Sequence, residues 1–329
     1  MSLFSLIAAL LIEQVRPLAD RRLILAPLDR FADFLEGHLN AGEYRHGLFA
    51  WAILAVLLAG GSWLVFFLLC KVSPLLGWAW NVAVLYLTMG FRQFSHYVTD
   101  IQLALRLGDL PRARELLTAW RGRSAESFSS DEIARVTIEE GLAAAYRHVF
   151  AVVFWFVLLP GPMGAVLYRL AAHLADRWGR RADLAAGSRL GESSPGVDGS
   201  VAVAALEFGR FGEFAQQSFA IIDWLPARVT AFIFAIVGNF EDAAYCWRTQ
   251  AAAWGQGQLG IVLAAGAGAL GIRLGQPLTE GGELIDRAEL GVGDDADVDS
   301  LQSAVGLVWR ALVLWLFLLL LLGLASWVG

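Results

Sequence analysis

Residues 149–174 read VFAVVFWFVLLPGPMGAVLYRLAAHL, and the fold turns on how they are interpreted. The stretch is long and apolar enough to enter a bilayer, which a single helix crosses with about 20 apolar residues. Pro160-Gly161-Pro162 stands in its middle. Proline removes a backbone donor and clashes with the preceding turn, and Gly161 supplies a flexible corner. Broken backbone at membrane depth persists only where protein or a wet cavity covers it. The stretch is therefore either a core hairpin that does not cross or a broken helix lining a site. Arginine-rich segments precede and follow it, which favours a hairpin returning to the side it left.

The surrounding composition agrees with a membrane setting. Of 329 residues, 57% are hydrophobic and 17% charged, against about 45–50% and about 25% in a soluble domain. Mean hydropathy is +0.56. Thirteen Trp and twenty Phe suit lipid-facing surfaces and interfacial belts. The net charge of −6 argues against nonspecific nucleic-acid binding. Cys70 and Cys246 lack metal-ligand spacing and read as buried free thiols.

In chain order, residues 2–12 are apolar but carry no signal-peptide pattern and are short for a span, so they read as an interfacial or core helix. Residues 14–46 are polar and mixed. Three full spans are expected, at 48–69, 75–90 and 306–327, the first two forming a helical hairpin around Pro74. Residues 91–148 read as a soluble helical insert. Within it, Asp109 and Pro111 start one helix, and Ser129 with Glu132 has the spacing of a capping box. Residues 179–200 read as a mobile loop. Glycine and alanine dominate 255–275, letting helices approach closely. No strand alternation is visible. The expected fold is all-α: a polytopic helical membrane protein with broken or re-entrant helices and a cytoplasmic helical insert, forming one domain over 1–329. Arginines crowd 14–46, 91–147 and 169–189, so the positive-inside rule puts the polar bulk in the cytoplasm.

Several motifs carry a resemblance. Residues 267–287 read AGALGIRLGQPLTEGGELIDR, residues 223–231 DWLPARVTA, and 165–169 AVLYR after Gly-Pro-Met-Gly. Residues 108–114 read GDLPRAR, with EIARVTIE at 132–139. Together they resemble the CobD/CbiB family of cobalamin-biosynthesis membrane proteins and its relative AmpE, over about residues 94–290. The resemblance implies a bacterial inner-membrane location. Family members that form the cobinamide amide bond carry Glu-Asn-Thr-x-Asp-Gly where this chain reads Ala143-Ala144-Ala145-Tyr146-Arg147-His148. They also carry Asn-Thr-Leu-Asp where it reads Ala172-His173-Leu174-Ala175, and Leu11–Val15 resembles the start of AmpE. An ATP-dependent amide ligase needs acids for magnesium and donors for phosphate. These departures imply an AmpE-like, regulatory or sensory protein linked to β-lactamase induction. The alternative is an adenosylcobinamide-phosphate synthase, joining an amino-alcohol to adenosylcobyric acid, with ATP and magnesium as cofactors. A membrane scaffold without a small ligand is the third reading.

The sequence points to no catalytic or metal-binding residue. Ligand-binding candidates are Glu139, Asp223, Arg228, Arg273, Gly281, Gly282 and Glu283. Glu139 also reads as an i,i+4 partner of Arg135. Asp223 and Arg228 flank Trp224-Leu225-Pro226, where charges need pairing. Arg273, followed by Gly281-Gly282-Glu283, suits an anionic group such as phosphate. Arg147 reads as a snorkelling arginine. His96, His148 and His173 each lack an evident partner in sequence. The acidic run at 294–299 reads as a solvated loop without calcium-ligand spacing. Expected partners are the lipid bilayer, an anionic small molecule and a second copy of the chain in a homo-oligomer.

Overall fold

The computed structural model describes residues 2–15, 22–39, 44–191, 199–255, 257–280 and 283–328. In chain order the helices are α1 (Ser2–Val15), α2 (Arg22–Leu39), α3 (Tyr44–Val72), α4 (Pro74–Thr88), α5 (Phe91–Arg106) and α6 (Leu110–Arg121). They continue as α7 (Ser130–Leu158), α8 (Met163–Gly191), α9 (Gly199–Val237), α10 (Phe240–Thr249), α11 (Leu259–Leu270) and α12 (Val298–Val328). Five short strands precede α12: β1 (Ile272–Leu274), β2 (Leu278–Glu280), β3 (Glu283–Ile285), β4 (Leu290–Gly291) and β5 (Asp294–Asp295). The fold is an all-α polytopic membrane protein. Among the described residues, four helical segments are long and apolar enough to cross a bilayer: Tyr44–Val72, Ser130–Leu158, Phe211–Val237 and Val298–Ala325.

These four differ from the three expected spans. The segment expected at 75–90 is a 15-residue helix, about 22 Å long at 1.5 Å per residue, short of a core about 30 Å thick. The expected insert at 91–148 does not stop short of the broken stretch. Its last helix, α7, runs on to Leu158 through a π-turn at Tyr146–Phe150. The loop expected at 179–200 is helical up to Gly191 and again from Gly199, and 192–198 lie outside the described residues.

The chain divides into two units. One comprises Met1–Ser5, Leu18–Thr88 and Val152–Asp223. Its core joins Ala32 and Leu35 of α2, Ala50 and Leu54 of α3, Leu170, Leu174 and Trp178 of α8, and Phe211 and Ala215 of α9. Trp178 meets Phe211 edge-on, with ring centroids 4.8 Å apart. Polar pairs lie beside that core: Arg177 grips Asp33 at 2.7 Å and Asp29 at 2.7 Å, and His173 Nε2 lies 2.8 Å from Asp29. His173 therefore has the partner that the sequence did not reveal. In α3 only 11% of the apolar window is buried, as suits a lipid-facing helix.

The quoted stretch breaks where its prolines stand. Helix α7 ends at Leu158, and α8 starts at Met163. Gly161 takes φ +64 at the corner, a conformation that costs glycine nothing. The reversal is tight. A Cβ on Gly164 would lie 1.9 Å from the Trp155 carbonyl oxygen, although nine residues of continuous helix would separate the two by about 13 Å.

The other unit comprises Leu6–Pro17, Met89–Ala151 and Trp224–Gly329. Helix α11 is its centre: from Leu259 to Ala269 all but Ile261 are buried. Its small residues do what the sequence suggested. A Cβ on Gly268 would lie 2.5 Å from the Asp242 carbonyl oxygen, and one on Gly266 would lie 2.8 Å from the Leu142 side chain. The strands were not foreseen. β1 pairs antiparallel with β4 (Arg273 opposite Gly291) and parallel with β5, while β2 and β3 form a hairpin with Glu280 opposite Glu283. The acidic run is thus partly strand, and Asp297 opens α12 by accepting the Ser300 amide at 2.8 Å.

Candidate functional site

One polar cavity of about 520 Å³ lies within the second unit. Its walls come from elements whose ends the sequence specifies. Asp109 accepts the Arg112 amide at 3.1 Å to start α6, and Gly122 ends it at φ +70, with Arg121 and Arg123 on either side of it lining the cavity. Ser129 and Glu132 complete a reciprocal capping box at the start of α7. One face of α7 then contributes Glu140, Ala143 and Arg147 at i, i+3 and i+7. Trp254, Leu259 and Leu263 form another wall, and Leu278, Glu280 and Ile285–Ala288 close the remainder.

Glu139 is the latch of this arrangement. Its side chain is 7% exposed. One carboxylate oxygen accepts the Gly275 amide at 2.8 Å, and the other accepts Arg287 Nη1 at 2.7 Å. Arg287 also donates Nη2 to the Gly275 carbonyl at 2.9 Å and Nε to the Gln276 carbonyl at 3.2 Å. Its guanidinium carbon lies 5.6 Å from the centre of the Trp254 ring. The i,i+4 reading of Glu139 therefore misses its main partner. Arg135 instead donates to the Gln276 side chain.

Arg121 is the second fixed cation. Its side chain is 8% exposed. Nε donates to Glu140 at 3.3 Å, and Nη1 lies 3.5 Å from Glu280, charge-paired rather than hydrogen-bonded. Arg147 differs. It sits in the π-turn, its Nε is buried without a hydrogen-bond partner, and among the described residues it has no acidic partner. Snorkelling alone does not describe it, because it lines the cavity.

The other candidates scatter. Asp223 lies in the first unit, buried, and accepts the Tyr168 hydroxyl at 2.9 Å. Arg228 lies over the Trp224 ring at 4.1 Å and donates to the Trp224 carbonyl and Gln258, each at 2.8 Å. Asp223 and Arg228 are thus held by separate partners. Arg273 is not part of the cavity wall. Asp295 lies 3.1 Å and Glu289 3.9 Å from it, supplying acids where the sequence suggested a ligand anion. Glu283 pairs through its backbone with Glu280, and Gly281 and Gly282 lie outside the described residues. Sequence reasoning missed Arg121, Arg287, Glu280, Asp286 and Trp254 as site residues. Arg287 closes the 267–287 motif, which was the available signal.

A helical membrane protein with an arginine- and carboxylate-lined cavity is the class that fold and site define. A family model described as CobD/Cbib protein matches residues 6–187 and 196–308. The chain belongs to the CobD/CbiB family. It is 34% identical to the cobalamin biosynthesis protein CobD of Stutzerimonas stutzeri (strain A1501), covering 97% of this chain and 98% of that protein. It is 35% identical to the CobD of Chromobacterium violaceum over 74% of this chain and 70% of that protein. The CbiB of Salmonella typhimurium (strain LT2) is 24% identical over 82% of this chain and 79% of that protein. No solved structure matches.

Proposed function

We propose that this protein acts in cobalamin biosynthesis as an adenosylcobinamide-phosphate synthase of the CobD/CbiB type, joining an amino-alcohol to adenosylcobyric acid with ATP. The likeness to a cobalamin biosynthesis protein along almost the whole of both chains carries this reading. It ranks above the AmpE-like regulatory reading that the altered motifs suggested. The cavity is of the size that small ligands occupy, about 300–1,000 Å³, and suits the small substrate rather than a corrinoid ring. We place the protein in the bacterial inner membrane with its polar helices on the cytoplasmic side, supported by the arginine distribution.

The cavity residues fit phosphate oxygens better than a protein-built magnesium site. Glu139 is taken by Arg287, and Glu140 and Glu280 by Arg121. Of the four cavity carboxylates, that leaves Asp286 without an arginine partner among the described residues. No group of three metal-ligating side chains occurs among the described residues.

One observation favours a second reading. Ala143 and Arg147 line the cavity where the amide-forming members resembled in sequence carry Glu and Asp. A chain that binds without ligating would look like this, as the regulatory reading requires. Complementation separates the two. The gene should restore cobalamin synthesis to a strain lacking its own synthase. Failure to do so, with the protein present in the membrane, overturns the synthase reading.

A further inference from the structure

We propose that Arg147, assisted by Arg123, is the anchor for a phosphoryl group of the cavity's ligand. The inference deepens the reading above, which makes this cavity the working site. The cavity holds four arginines and four carboxylates, so net charge says little. Their pairing says more. Arg287 has every guanidinium nitrogen committed to Glu139, Gly275 or Gln276. Arg121 lies between Glu140 and Glu280. Arg123 and Arg147 have no acidic partner among the described residues, and both line the cavity.

Three further features single out Arg147. It occupies a π-turn inside an otherwise α-helical 29-residue segment, and such insertions occur frequently at functional sites. A guanidinium in a segment apolar enough to cross a membrane is costly unless something pairs with it, and nothing in the described chain does. Its Nε is already buried and unsatisfied, so the guanidinium has lost water there without gaining a partner. One turn earlier on the same face stands Ala143, whose small side chain leaves space beside it. A planar guanidinium with an open side matches a phosphoryl oxyanion bidentately.

The test titrates the full-length protein in detergent with inorganic phosphate and with pyrophosphate, by calorimetry. Wild type should bind at least one of them. Arg147→Ala should weaken binding roughly 10- to 150-fold, the range expected for a lost charged hydrogen bond. Arg147→Lys should recover part of it, and Arg123→Ala should cost less than Arg147→Ala. Ala143→Glu tests the same point without removing the arginine: its carboxylate, four residues before Arg147, should pair with it and abolish binding. Repeating the titration in phosphatidylcholine nanodiscs with and without phosphatidylglycerol identifies the source. Arg147-dependent competition by phosphatidylglycerol assigns the phosphoryl group to a lipid headgroup, and its absence assigns it to a soluble ligand. No binding by wild type overturns the proposal, as does wild-type binding by monodisperse Arg147→Ala together with Ala143→Glu. Complementation is read separately. A wild type that binds phosphate but does not complement defeats only the synthase reading, and one that complements without needing Arg147 defeats only this one.

Discussion

Replacing Glu139 by alanine removes both acceptors of the latch at once. The Gly275 amide loses a 2.8 Å bond and Arg287 a 2.7 Å bond. A buried backbone donor left unpaired costs about 1–3 kcal/mol, and removing one partner of a buried ion pair costs about 3–5 kcal/mol. The second figure must be reduced, because Arg287 is 17% exposed and keeps its bonds to two carbonyls. The losses share one side chain and do not simply add, so about 3 kcal/mol is expected. With about 2–4 °C of Tm per kcal/mol in a chain of moderate size, the unfolding midpoint should fall by about 6–12 °C. The assay is thermal unfolding in detergent at fixed scan rate, protein and detergent concentration. Glu139→Gln keeps an acceptor for Gly275 but no charge for Arg287, and should lose about half as much. Arg287→Met combined with Glu139→Gln should show coupling of about 1–3 kcal/mol in a double-mutant cycle. A Glu139→Ala midpoint within about 2 °C of wild type, or a cycle without coupling, refutes the latch.

Gly164→Ala places a Cβ against the Trp155 carbonyl oxygen, so the reversal must open, costing about 2–3 kcal/mol; thermal unfolding of the purified variant checks this. Asp297→Ala should remove about 1 kcal/mol through the lost α12 cap. Hydrogen bonds from Ser300 hold the Asp297 carboxyl below its ordinary value. Its contribution is therefore present above the unfolded aspartate pKa of about 3.9 and is lost as pH falls through the lower folded value. Wild type should lose more stability than Asp297→Ala over that acid window; equal losses would count against the cap. Burial pushes the Cys246 thiol up from its ordinary value, so iodoacetamide at pH 8 should leave Cys246 unmodified until the protein unfolds, as read by peptide mass spectrometry.

Much of the fold was legible because its signals are local. Asp109, Ser129 and Glu132 mark helix starts through contacts three residues away. Pro160 and Pro162 mark the break through their own rings, and the glycines of 255–275 mark close approach. The unread parts have other causes. Strands of two or three residues are too short for alternation to show. A π-turn adds one residue to a helical turn without changing composition, so Tyr146–Phe150 looked like plain helix. The site itself hinges on pairs far apart in sequence. Arg273 stood out as a lone cation in an apolar run, yet strand pairing brings Asp295 beside it. Arg287 stood among polar neighbours and drew no notice, although it closes on Glu139.

That last pairing also orders events during synthesis. Glu139 finds its partners 136 and 148 residues further along the chain. Tyr44–Val72 and Ser130–Leu158, both long and apolar enough to enter a bilayer, are therefore made well before Arg287. Throughout that interval the carboxylate of Glu139 has neither companion. Whatever shelters it then, whether water, a lipid amine or an insertion factor, must give way once translation reaches the segment at 275–287.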